Sequence, residues 1–180
     1  VQQLLDTVKE THPKVVEELV PNLLPLGGVV QVLQNLLREQ VPIRDLLTIL
    51  ETLADWSPAT KDLDILAEHV RHALARTITK MHLTPEGHIA AITLGHSLET
   101  AISDALQQTA QGSFFALDPS IAQQMIYNLA ASLVKMSSLN YQPVVMCSAQ
   151  IRYHVKRLIE RFMPHIVVLS YDEIMSKVVI

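Results

Sequence analysis

Between residues 26 and 74 the apolar residues recur at three-, four- and seven-residue intervals, and this recurrence constrains the fold more than any other feature. Leu26, Val29, Val30, Leu33, Leu36 and Leu37 make a first stripe. Ile43, Leu46, Leu47, Leu50, Leu53 and Ala54 make a second, and Leu63, Leu66, Ala67, Val70, Ala73 and Leu74 a third. Residues at those spacings share one face of a 3.6-residue helix, so each stripe predicts an amphipathic helix that must bury one side. The joints are short: Gln40–Pro42, then Ser57–Lys61 with Pro58, and Asp62 suits an N-cap. Helices joined so tightly pack as neighbours in a compact bundle. Val1–Thr11 and a short helix opened by Pro13 complete it, and the bundle is expected over residues 1–78.

The pattern changes beyond residue 78. Ile78–Leu83 and Ile89–Leu94 flank Thr84-Pro85-Glu86-Gly87, which predicts a β-hairpin. A helix with Leu98, Ala101, Ile102, Ala105 and Leu106 on one face follows, ended by Gly112. Asp118-Pro119 opens the next helix as cap and first residue. Pro143–Cys147, a helix from Ser148 to Pro164, and Ile166–Leu169 then read as strand, helix and strand, a βαβ unit with parallel strands. The expected class is α+β, mostly helical, with residues 79–180 forming a small α/β subdomain.

Composition excludes several functions. The 14 basic residues against 18 acidic leave a net charge of −4 and no concentrated cationic face for phosphates. The apolar stretch Leu19–Leu33 is interrupted by prolines, glycines and polar residues, so it does not predict a membrane span. The opening VQQLLDTVKE lacks the basic-then-apolar order of a signal peptide, and a cytosolic setting is expected. Apolar residues are 49% of the chain and charged ones 18%, with mean hydropathy +0.25. More apolar surface is present than one small fold hides, which favours contact with other proteins.

No catalytic constellation emerges. His69 and His72 lie three apart on one predicted helix near Glu68, but a zinc site takes three or four ligands and no Cys/His partner motif is present. Cys147 is the one cysteine; its neighbours Val145 and Met146 mark it as a core residue. Phosphate-cradling glycine loops and nucleophile elbows are absent from the sequence. No cofactor is expected. Residues 36–54 have the outline of a DNA-binding helix-turn-helix, yet the polar positions of the second helix are Asp45, Thr48, Glu51, Thr52 and Asp55. Phosphate would be repelled by that face. Arg38, Glu39, Arg44 and Asp45 cluster at the same corner, either as local ion pairs or as polar contacts between subunits.

Four blocks carry a resemblance: VEELVP, VLQNLLREQVPIRDLLTILETLADW, KDLDILAEHVRHALAR and PVVMCSAQIRYHVKRLIERFMPHIVVLSYDEI. They resemble, in order and nearly end to end, the third and fourth subdomains of the cytoplasmic region of the type III export-gate family, flagellar and virulence. QQTAQGSFFALDP leans toward the flagellar branch. The resemblance implies the cytoplasmic domain of a bacterial inner-membrane protein, anchored by a region outside this sequence. It implies a nine-membered ring that receives chaperone–substrate complexes, contacts the export-ATPase stalk and other secretion proteins, and performs no chemistry. The family's chaperone groove lies between the first two subdomains, so no residue of it carries over. The ring contacts of the third subdomain carry over as an expectation to Arg38, Glu39, Arg44 and Asp45. Pro42 stands where many relatives have a capping Ser, and proline also tolerates a helix start.

Overall fold

The structure, a computed structural model, describes residues 1–109 and 112–179. The chain divides into two compact units, Val1–Met81 and His82–Ile180.

The first unit is helical. Helices α1 (Gln2–Thr11) and α2 (Pro13–Glu18) lead through a wide turn at Leu19–Leu23, where Val20 is extended, to α3 (Leu26–Arg38). Helices α4 (Leu46–Trp56), α5 (Leu63–Ala73) and α6 (Ala75–His82) follow. The three stripes form helices as their spacing requires. Val29, Val32, Leu33 and Leu36 of α3, Leu46, Ile49, Leu50 and Leu53 of α4, and Leu66, Ala67 and Val70 of α5 are buried. Helix α5 is central, packing on both α3 and α4. The stripes err at their edges: Leu37 is 52% exposed, and Val32 takes the buried place. Asp62 caps α5 as expected, accepting from the N–H groups of Asp64 and Ile65. Gly27 and Gly28 lie inside the first turn of α3. Leu24 presses so close that a Cβ on Gly28 would sit 2.9 Å from its Cγ. Among the described residues no single helix is long and apolar enough to cross a membrane. Pro13–Leu23 and Leu26–Arg38 reach that length only together, across a 106° bend.

The second unit is α/β. Strands β1 (Ile92–Thr93), β4 (Val144–Cys147) and β5 (Val167–Ser170) form a parallel sheet in the order β1-β4-β5. Val144 pairs with Val167, and Ile92 with Val145. Between them run α7 (His96–Asp104), the hairpin strands β2 (Leu106–Thr109) and β3 (Gly112–Phe115), and α8 (Pro119–Ser138). Helix α9 (Ala149–Ile159) joins β4 to β5, so the βαβ unit forms with parallel strands. Every residue of β4 is buried, and its core includes Ile151, Val155 and Ile159 of α9.

Two local expectations are overturned. Residues 78–83 are not a strand: Ile78 and Thr79 lie in α6, and no hairpin spans 78–94. The Thr84–Gly87 turn does form, with Gly87 at φ 84° donating to the Thr84 carbonyl. The chain beyond it, however, bridges His88 to Val179 and pairs β1 with β4. Nor does the following helix run to Gly112. It ends at Asp104, and Gly112 opens the second arm of the hairpin. Ala110 and Gln111, part of the QQTAQGSFFALDP block, lie outside the described residues. Ser148 takes the N-cap position of α9 without capping through its side chain; its N–H donates instead to Glu99 Oε1 at 2.9 Å.

Candidate interaction surface at the α3–α4 corner

The corner is shaped by how α3 stops. Gln40 adopts φ 61°, its N–H donates to the Leu37 carbonyl, and the Val41 N–H reaches back to Leu36. This pair of bonds is the Schellman arrangement, which satisfies the last carbonyls of a helix and turns the chain sharply. Val41 and Leu36 are both buried beneath it. The turn therefore pins the start of the segment that carries Arg44 and Asp45.

The four expected residues are placed differently. Arg38 is exposed in the last turn of α3, where a cation complements the negative end of the helix dipole. Glu39 turns inward: its Oε2 lies 3.3 Å from Arg71 Nη1, and Arg71 of α5 is only 3% exposed. Asp45 caps α4, accepting from the Thr48 N–H at 3.2 Å and the Thr48 hydroxyl at 2.8 Å. Arg44 is exposed beside it. Arg44 and Asp45 line an open groove of about 350 Å³ with Pro42 and Thr77, and neither Arg38 nor Glu39 borders it. The corner is thus one groove lined by Arg44 and Asp45 and one outward arginine, with an ion pair beneath.

Arg71 and Thr77 were not among the expected site residues. Arg71 follows the buried Val70 and begins no motif, so only its place beside the stripe hinted at burial. A second missed feature lies at the other end of α4. The Trp56 and His69 rings stack with centroids 3.6 Å apart and planes within 8°. Burial first, and then the neighbouring His72, hold the His69 pKa below its ordinary value. That stack is the environment of the histidine weighed as a metal ligand, and among the described residues no group of three His, Cys, Asp or Glu side chains is placed to hold a metal. Cys147 is fully buried, its Sγ 4.0 Å from the Leu169 carbonyl. The helix-turn-helix outline fails on geometry: α3 ends at Arg38 and α4 starts at Leu46. A connection over 39–45 is longer than the three- or four-residue turn of that motif.

A helical bundle followed by a three-stranded parallel α/β unit is an arrangement this chain shares with solved cytosolic domains of type III secretion proteins. The chain belongs to the FHIPEP family, whose model matches residues 1–179. It is 39% identical over 177 residues to the flagellar biosynthesis protein FlhA of Bacillus subtilis (strain 168), across 98% of this chain and 26% of that protein. The chain therefore spans about a quarter of that relative's length. The nonameric EPEC SctV-C cryo-EM structure superposes with a TM-score of 0.83 at 32% identity, over 98% of this chain and 53% of the other. The Chlamydia pneumoniae CdsV of the CdsV and CdsO complex superposes with 0.83 at 30% identity, over 99% and 52%.

Proposed function

We propose that this chain is part of the cytoplasmic portion of a type III protein-export gate. In that role it assembles with copies of itself into a ring and docks chaperone–substrate complexes and export-ATPase components, with no chemistry of its own. The carrying observation is its end-to-end likeness to SctV-C, a protein whose structure is nonameric. The likeness to CdsV, solved with CdsO, supports a second protein as partner. In this reading residues 1–78 supply ring contacts through Arg38, Arg44 and Asp45, with Glu39 holding the corner from beneath. Residues 79–180 supply docking surface, and a region outside this sequence anchors the whole in the bacterial inner membrane.

The test is export itself. Deleting these residues from the parent gate should abolish secretion of export substrates into the medium, and Arg38→Glu with Arg44→Glu should lower it strongly while the variant remains folded. Normal export in the deletion would overturn the reading. The DNA-binding alternative predicts a mobility shift at low salt; the acidic exposed face of α4 predicts none.

A further inference from the structure

We propose that copies of this chain meet head to tail along α4, with Arg44 of one copy seated against Trp56 and Asp55 of the next. The inference rests on the ring reading and names the two faces that would mate. A ring of nine copies has only cyclic symmetry, so each contact joins two different patches that must complement one another. Helix α4 carries such a pair at its ends. Arg44 precedes it and Trp56 closes it, and its 11 residues set those ends about 16 Å apart.

The head offers a guanidinium. Asp45 is engaged in capping Thr48, and Arg44 is exposed at the groove with no acidic partner among the described residues. The tail is acidic and aromatic. Trp56 is 43% exposed, and its ring is already held flat by His69, so little side-chain freedom remains to be lost on contact. Glu51 and Asp55 are exposed on the same helix. From residue 50 to 69 the acids Glu51, Asp55, Asp62, Asp64 and Glu68 face one cation, Lys61, whose ammonium donates to the Leu23 carbonyl. The carboxyl end of α4 adds the negative end of its dipole. A guanidinium suits both halves of this tail, stacking on the indole and pairing with a carboxylate. Trp and Arg are also the side chains that most often anchor interfaces. Two tails repel one another, and a second head offers the guanidinium no indole and only a carboxylate already engaged by Thr48, which leaves the head-to-tail order.

Trp56 is the sole tryptophan of the chain, so its emission reads the tail directly. Sedimentation velocity of the 180-residue chain over rising concentration, with acrylamide quenching of Trp56, should show association and loss of quencher access together. Arg44→Glu and Asp55→Arg should each weaken association by about tenfold or more, since each juxtaposes like charges. The double variant Arg44→Glu/Asp55→Arg should return to within about threefold of the unaltered chain, because the swapped ends again complement one another. Both positions are exposed, and circular dichroism of each variant confirms that the fold is kept. Association with Trp56 still as accessible as in the monomer, or a double variant no better than either single one, overturns this pairing while the ring reading stands. A chain that never associates overturns both.

Discussion

Arg71 Nη1 lies 3.3 Å from Glu39 Oε2, joining the end of α3 to the last turn of α5 across 32 residues of sequence. Arg71 is almost wholly buried and Glu39 half-buried, so water does little to screen the pair. Removing one partner of such a pair leaves a charge stranded in low dielectric. Arg71→Ala is expected to destabilise the first unit by about 3 kcal/mol, read from the midpoint of urea unfolding. The double variant Arg71→Met/Glu39→Leu should lose less than the two single losses combined, because neither charge is then left unpaired. Additive losses would show that the two side chains act independently.

Adjacent glycines make a controlled comparison. A Cβ on Gly27 meets nothing within 4 Å, whereas on Gly28 it meets Leu24 Cγ at 2.9 Å. Gly27→Ala should stabilise by about 0.5 kcal/mol, by reducing the freedom of the unfolded chain. Gly28→Ala gains the same propensity but drives a methyl into the buried Leu24, an overpacking that costs about 1–3 kcal/mol. Thermal unfolding of the two variants should shift in opposite directions. Equal shifts would mean that Leu24 yields without cost.

His69 supplies the pH dependence. Its pKa is lowered from 6.5, first by burial and then by His72. A histidine with a depressed folded pKa takes up its proton in the unfolded chain first. Its neutral form therefore favours the fold at pH above 6.5, and that advantage is lost as pH falls from 6.5 through the lower folded value. Trp56 emission, quenched when the stacked imidazole gains charge, should follow a transition with its midpoint below 6.5, and His69→Gln should abolish it. A midpoint at or above 6.5 would contradict the stacked, partly desolvated geometry.

What was legible in the sequence followed from local period. The stripes of α3, α4 and α5 were readable because burial of one helical face imposes its spacing on the residues themselves. The βαβ unit was readable because a strand buried on both faces is written as an uninterrupted apolar run, Val144–Cys147. Failures arose where distant partners decide. Ile78 and Thr79 are β-branched and read as strand, yet both are buried as part of a helix in the first unit. Ile92 and Thr93 find their partner in β4, more than 50 residues on, and His88 finds Val179. At the corner the cluster of charges was visible, but its sorting was not. Nothing local says that Glu39 turns inward to Arg71 while Arg44 borders a groove.

Gln40 holds the corner in a conformation that its side chain does not favour. At φ 61° it sits in the left-handed region, which costs an L-residue about 1–2 kcal/mol relative to the right-handed helix. The two Schellman bonds and the burial of Val41 hold it there. Glycine removes the steric cost but adds about 0.5–1 kcal/mol of backbone entropy in the unfolded chain. Gln40 is exposed and makes no side-chain hydrogen bond among the described residues. Gln40→Gly should therefore stabilise by about 0.5–1 kcal/mol, whereas Gln40→Val, β-branched, should destabilise. Asn140 ends α8 in the same conformation at φ 60°, and asparagine tolerates it better, so Asn140→Gly should gain less. Urea unfolding of the three variants checks the order. A loss of stability in Gln40→Gly would mean that the Gln40 side chain contributes more to the corner than the left-handed backbone costs.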